Sequence, residues 1–268
     1  MIGKELTDLL IKDDIKLADL RYGDDLRNFD ECMNLCKDVK VLYHLAGIKG
    51  SPKMTKEQPS KFFVPMIQMN TNILEAAKQC GVEKVLYTSS IAVLNPDSDE
   101  YPAWAKMTGE KQIEAYKIEN SKTKYSIVRP SNVYGKYDNF NRENLMVISD
   151  LIKKSLKNDK LIVWGDGSQT RNFINARDVA NGMIKTIKYM PDYAVNLGGK
   201  EYSIKEVAEK IKKHIGKPLE IVYDKSKKIG KQNRPMNSAL AEYYLKWEPK
   251  VNLDKGIKEV IKWKQLSG

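Results

Sequence analysis

Histidine and cysteine are nearly missing from this chain: its 268 residues include two histidines and three cysteines. That leaves little from which to build a zinc site, and no metal is expected. The cysteines, Cys32, Cys36 and Cys80, are odd in number, and the first two stand one helical turn apart. They read as reduced, buried thiols of a cytoplasmic protein. Long apolar runs are also absent. Nothing approaches the roughly 18 residues that a membrane span needs, so no membrane partner is expected. The opening stretch MIGKELTDLLIKDDIKL carries acidic residues and no small-residue cleavage site, which argues against a signal peptide. Missing too is any run of arginine mixed with aromatics. This matters because the formal net charge is +11. The lysines are scattered over KIKK, KSKK and KKSLK on expected helix faces, so nucleic acid is not expected as a partner. Anionic small-molecule substrates account for the charge as well.

What is present is a globular composition, 41% hydrophobic and 30% charged, at a length that suits one large domain or two small ones. Apolar spacing predicts helices over residues 4–12, 29–37, 69–79 and 102–120, and strands over 15–20, 39–44, 84–87 and 124–129. Gly81 suits the residue after a helix end, and Pro102 suits a first turn. This alternation implies an α/β fold, a doubly wound and mostly parallel sheet with helices on both faces. Sites in such sheets lie beyond the carboxyl ends of the strands, where His44, Ser90 and Arg129 fall. After Pro130 the loops lengthen, the elements shorten, and asparagine and lysine become more frequent. The expected division is therefore a dinucleotide-binding domain at 1–130 and a small C-terminal α/β substrate-binding lobe at 131–268, with some segments returning to the main sheet.

The stretch from Lys84 to Glu110 carries the chemistry. A buried strand hands Thr88-Ser89-Ser90 to the mouth of the sheet, and the next helix carries Lys106. Such a pair can activate a hydroxyl or a carbonyl. The plainer reading is a serine turn and a solvated lysine.

The motifs HLAG (44–47), NILEAAKQCGVEKVLYTSS, VRPSNVYG (128–135), WGDGSQTRNF (164–173), ARDVANGM, VNLGG and LKWEPKVNLDKGIKEVIKW follow one another in an order that resembles the extended short-chain dehydrogenase/reductase family, the NAD-dependent epimerases and dehydratases of nucleotide sugars. VYGKYDNF followed by VWGDGSQTRNF looks most like its GDP-fucose synthase branch. The resemblance covers nearly the whole chain. It implies a Rossmann-like fold, NAD or NADP as cofactor, a nucleotide diphosphate sugar as substrate, and a homodimer. The two-helix face of such a dimer would be formed by the helices at 69–79 and 102–120.

Carried over position by position, the resemblance places Gly3 at the last glycine of a G-x-x-G-x-x-G loop. The chain then starts inside that loop, and the preceding strand and two glycines are not among these residues. Asp19 would hold the adenosine ribose, and Arg21 beside it leaves room for NADP. Asp25 and Leu26 would lie near the adenine. His44, Leu45, Ala46 and Gly47 would flank the cofactor. Ser90 matches the catalytic serine, and Lys106 the lysine that binds the nicotinamide ribose. Asn132, Arg171 and Arg234 match positions that hold the nucleotide diphosphate. His44 as a strand cap, and Asn132 and Arg171 as turn and salt-bridge residues, remain alternatives.

The departures fall in the catalytic machinery. The family pairs tyrosine and lysine as Tyr-x-x-x-Lys, so that the ammonium lowers the phenol pKa. Here Pro102 stands four residues before Lys106 and Tyr101 stands five before, which makes Tyr101 the candidate acid/base from the N-cap. The fucose-synthase branch also epimerises with a cysteine and a histidine, where Ile91 and Met146 stand. The expected function is an NAD(P)-dependent nucleotide-sugar epimerase, dehydratase or reductase acting at the sugar C4. The alternative is a catalytically impaired or inactive nucleotide-sugar-binding homologue.

Overall fold

A computed structural model of the chain describes residues 1–19, 23–48, 52–119, 122–141, 145–227 and 236–267. The elements run α1 (Ile2–Leu9), α2 (Phe29–Cys36), β1 (Val41–His44), α3 (Pro52–Glu57), α4 (Ser60–Gln79), β2 (Lys84–Thr88), a 3-10 turn (Ile91–Leu94), α5 (Tyr101–Ile118), β3 (Lys124–Pro130), β4 (Asn132–Tyr134), α6 (Val147–Lys157), β5 (Lys160–Trp164), β6 (Thr170–Asn175), α7 (Ala176–Tyr189), β7 (Val195–Leu197), β8 (Lys200–Ser203), α8 (Ile204–His214), β9 (Glu220–Asp224), α9 (Ala239–Leu245) and α10 (Leu253–Leu266). By proximity the chain forms two compact units. One is Leu9–Pro130 with Gly182–Asn196; the other is Met1–Asp8 with Ser131–Asn181 and Leu197–Gly268.

In the first unit β1, β2 and β3 lie side by side and parallel, Leu42 opposite Val85 and Leu86 opposite Ser126, and β7 follows β3 in the sheet order. The crossover from β1 to β2 contains α4, and that from β2 to β3 is α5, as parallel pairing requires. In β2, Val85, Leu86 and Tyr87 are all fully buried, the continuous apolar run of a strand covered on both faces. Its core gathers Cys32, Cys36, Ile73, Leu74, Val85, Ile113 and Tyr125. Burying a side chain such as Leu74 stabilises by about 1.5–3 kcal/mol. Burial also pushes the Cys32 thiol up to about 12 and the Cys36 thiol to about 11, so both stay protonated.

The second unit has its own core, with Ile148, Ile152, Leu161, Val207, Ile211, Ile257 and Val260 at its centre. There β4 pairs parallel with β6, β6 antiparallel with β8, and β5 parallel with β9. Its α8 begins with a full capping box, the Ser203 hydroxyl on the Glu206 amide and the Glu206 carboxylate on the Ser203 amide.

The α/β reading with a parallel sheet is what the structure shows. Two local expectations are corrected. Among the described residues, 15–19 form no strand: Ile15 is 37% and Leu17 63% exposed, so the alternation there buries nothing. And α4 starts at Ser60 rather than near residue 69. Phe62, Met66, Asn70, Ile73, Leu74 and Ala77 make one buried stripe at helical spacing that carries the helix past Pro65.

Candidate active site

Lys106 sits in the second turn of α5, beside the carboxyl ends of β1 and β2. Its ammonium donates to the Thr88 carbonyl at 2.7 Å and to the Ala46 carbonyl at 3.3 Å. It also lies 5.1 Å from the centre of the Tyr87 ring, a cation–π distance. Gly47 lies close by: a Cβ there would stand 3.8 Å from the Lys106 Nζ. The lysine is therefore not a solvated surface charge. It is fixed where two parallel strands end.

The three residues that close β2 divide their hydroxyls. Ser90 is half-buried and caps the 3-10 turn, accepting from the Ala92 amide at 3.2 Å. Ser89 is 4% exposed, and its Oγ is buried without a hydrogen-bond partner. The Thr88 Oγ1 is in the same state. Ser89 was passed over in the sequence, where three adjacent hydroxyls look equivalent.

Tyr101 is the first residue of α5, after Glu100 at the N-cap, and Pro102 follows it in the first turn. The phenol is 37% exposed and packs edge-on to Phe63 with ring centres 5.8 Å apart. The expectation that proline would hold Tyr101 at the N-cap is off by one residue. Of the two residues expected at the fucose-synthase epimerising positions, Ile91 is 8% exposed, and Met146 stands at the N-cap of α6.

His44 ends β1 and is 2% exposed. Its Nε2 lies 2.8 Å from the Asn70 Oδ1. Burial, with the Lys106 charge second, pushes its pKa down to about 4, so the ring is neutral at physiological pH. Asn70 donates to the Tyr87 hydroxyl at 3.1 Å and to the Ala105 carbonyl at 3.3 Å; Tyr87 donates to the Lys106 carbonyl at 3.2 Å. Asn70 and Tyr87 were missed in the sequence. Their signal is a polar residue on the buried stripe of a helix and a tyrosine inside an apolar strand.

The remaining cofactor candidates are spread over the start of the chain. Gly3 lies in α1. Asp19 donates its backbone amide to the Asp24 carboxylate at 2.8 Å. Asp25 accepts from the Arg27 guanidinium at 2.6 Å, which holds its carboxyl down at about 2. The Leu26 side chain packs on the first unit's core, and its carbonyl accepts from the Asn72 amide at 3.2 Å. Leu45 and Ala46 are half-buried on the segment after β1. Arg21 and Arg234 lie outside the described residues. In the second unit, Asn132 donates to the Asn172 carbonyl at 3.0 Å, and Arg171, half-buried on β6, donates to the Thr170 carbonyl at 2.6 Å. Trp164 closes β5 with 53% of its surface exposed.

The family model described as "NAD dependent epimerase/dehydratase family" matches residues 1–198. A GDP-L-colitose synthase from Yersinia pseudotuberculosis is 33% identical over 83% of this chain and 80% of its own length. A putative UDP-glucose 4-epimerase from Methanocaldococcus jannaschii is 32% identical over 92% of this chain and 82% of its own. In three dimensions, a GDP-L-fucose synthetase from Naegleria fowleri, solved with NADP, superposes with a TM-score of 0.86 at 24% identity over 99% of this chain and 90% of that one.

Proposed function

This chain belongs to the NAD dependent epimerase/dehydratase family, and we propose that it oxidises or reduces a nucleotide diphosphate sugar at C4 with NAD or NADP, with or without epimerisation. The observation that carries the reading is the Lys106 ammonium, held by the Thr88 and Ala46 carbonyls where β2 and β1 end. The residues present fit a nicotinamide cofactor there. Gly47 keeps the approach to the ammonium free of a side chain, and Ser89 brings a buried hydroxyl that has no partner in the protein.

The cofactor, when bound, supplies a hydride acceptor or donor. Lys106 binds the nicotinamide ribose. Ser89 or Ser90 hydrogen-bonds the sugar oxygen. Tyr101 moves the proton between that oxygen and solvent. Arg171 and Asn132 hold the diphosphate; an arginine's planar fork suits phosphate oxygens, and Trp164 presents a face on which a base can stack. Isoleucine and methionine at positions 91 and 146 carry no transferable proton, so chemistry needing acid/base groups there is not part of the proposal. Homodimerisation through α4 and α5 and a cytoplasmic location belong to the same reading. The three free cysteines support the second.

A second reading, a nucleotide-sugar-binding homologue without turnover, is favoured by Pro102, which occupies the position of the family tyrosine.

Paired titrations separate the parts. Lys106→Ala should weaken NAD(P)H binding and leave nucleotide-sugar binding alone. Arg171→Ala should raise the Kd for the nucleotide diphosphate sugar about tenfold or more, near the loss of one charged hydrogen bond, and leave NAD(P)H binding alone. Full retention of both affinities in both variants overturns the assignment.

A further inference from the structure

The two peptide groups that flank the Lys106 Cα each accept a second hydrogen bond, from a buried side chain outside α5. The Ala105 carbonyl accepts from the Asn70 Nδ2 at 3.3 Å, and the Lys106 carbonyl accepts from the Tyr87 hydroxyl at 3.2 Å. We infer that Asn70 and Tyr87, with His44 behind them, are positioning residues that lock the backbone on both sides of Lys106 and so aim its ammonium at the cofactor. The inference rests on the functional reading above for the word cofactor. The locking itself is a property of the fold.

The directions of the bonds are determined. Asn70 uses its amide N–H groups on the Tyr87 hydroxyl and the Ala105 carbonyl. Its Oδ1 therefore faces His44, whose Nε2–H donates at 2.8 Å. Tyr87 accepts from Asn70 and donates to Lys106. The run His44, Asn70, Tyr87, Lys106 thus joins β1, α4, β2 and α5 at the one turn that carries the lysine. The same tyrosine places its ring 5.1 Å under the ammonium. One residue thus restrains both ends of the lysine, the backbone by its hydroxyl and the head group by its ring.

Gly109 makes room for this. A Cβ there would meet the Tyr87 hydroxyl closer than real Cβ atoms ever come. Elsewhere the contact between α4 and α5 is closed by more accessible pairs, Gln112 with Thr71, Tyr116 with Glu75 and Lys78 with Glu119. A buried polar chain adds little stability over an apolar core of the same shape. Its concentration at the Lys106 turn is explained by orientation.

The test uses the full chain with Tyr87→Phe, Asn70→Ala and Gly109→Ala. Tyr116→Phe serves as a control that removes a comparable bond, at 2.9 Å to Glu75, from the same helix pair. Three readings are taken: melting temperature, NAD(P)H affinity by fluorescence, and hydrogen exchange of the Lys106 ammonium by 15N NMR, assigned with Lys106→Arg. Tyr87→Phe is expected to unfold cooperatively, to speed ammonium exchange at least fivefold and to weaken NAD(P)H binding by a similar factor. Tyr116→Phe should lower the melting temperature with both other readings unchanged. If Tyr87→Phe does not fold, Gly109→Ala, which keeps every polar group and displaces the ring, carries the same expectation. Unchanged exchange in the folded variants, or an equal loss in Tyr116→Phe, overturns the inference. Faster exchange in a protein whose wild type binds no NAD(P)H upholds the locking and overturns the functional reading instead.

Discussion

Ser89 and Ser90 differ in what their hydroxyls already do, and that difference is a prediction. Ser90 caps a 3-10 turn, so Ser90→Ala should cost about 1 kcal/mol of stability, the usual loss of a cap. Ser89 has no protein partner, so Ser89→Ala should leave the melting temperature nearly unchanged and lower turnover by roughly 10²–10³, the scale of one oxyanion-type donor. A large rate loss in Ser90→Ala alone returns the role to Ser90. Tyr101→Phe should lower turnover by roughly 10²–10⁴, as general acid–base groups do; an active enzyme indifferent to that change takes its proton from elsewhere. His44 gives a pH signature. Folded, it takes a proton only near pH 4, against 6.5 for the free ring. Between those values the unfolded chain binds more protons, so stability is full above about pH 6.5 and is lost as pH falls toward 4, by on the order of 3 kcal/mol. Denaturant midpoints measured across that range should show the slope, and His44→Phe should remove it. At this scale the sequence disclosed His44, at the end of an apolar strand, and Lys106, on the helix that follows the serine-bearing strand. It could not rank three adjacent hydroxyls. Which of them is consumed by a turn is decided by backbone geometry, and local composition carries no trace of that.

Among the elements, β3 and α5 are tied by an ion pair that stands apart from the surface bridges. The Arg129 Nε donates to the Glu110 Oε1 at 2.9 Å, a second guanidinium nitrogen meets the Oε2, and the two side chains are 24% and 7% exposed. The exposed pair Lys56 and Asp99 should matter little by comparison. Arg129→Ala leaves the Glu110 carboxylate buried and alone and should cost about 3 kcal/mol or more, while Lys56→Ala should stay within about 1 kcal/mol. Chemical denaturation of both variants checks this, and equal losses would deny the pair its role. Arg129 was singled out in the sequence as a strand-end residue facing the site; the structure gives it a partner on the next helix. The helices and strands from Phe29 to Pro130 were largely legible, since 3.6-residue and continuous apolar patterns are strong there. Residues 15–19 were misread because an alternating stretch looks the same whether or not a partner strand buries it. The early turns of α4 were missed because Pro65 reads as a break when the buried stripe through Phe62 and Met66 is not weighed.

For the whole molecule, the order of motifs mattered more than any one of them. HLAG, VRPSNVYG and GDGSQTRNF are each weak, and their succession pointed to the family that the model match over residues 1–198 shows. The sequence could not say whether Tyr101 serves in place of the residue lost to Pro102. That depends on where a phenol at the first turn of α5 reaches, which no spacing rule fixes. Hydride transfer at the sugar C4 can be read in one measurement. Wild-type protein is incubated with nucleotide-linked 4-ketosugars and the deuterium-labelled reduced cofactor, and the sugar is read by mass spectrometry. One deuterium is expected at C4, absent in Lys106→Ala. Bound sugar nucleotide with no label transferred, under either NADH or NADPH, would contradict it and leave a binding protein in the fold of an enzyme.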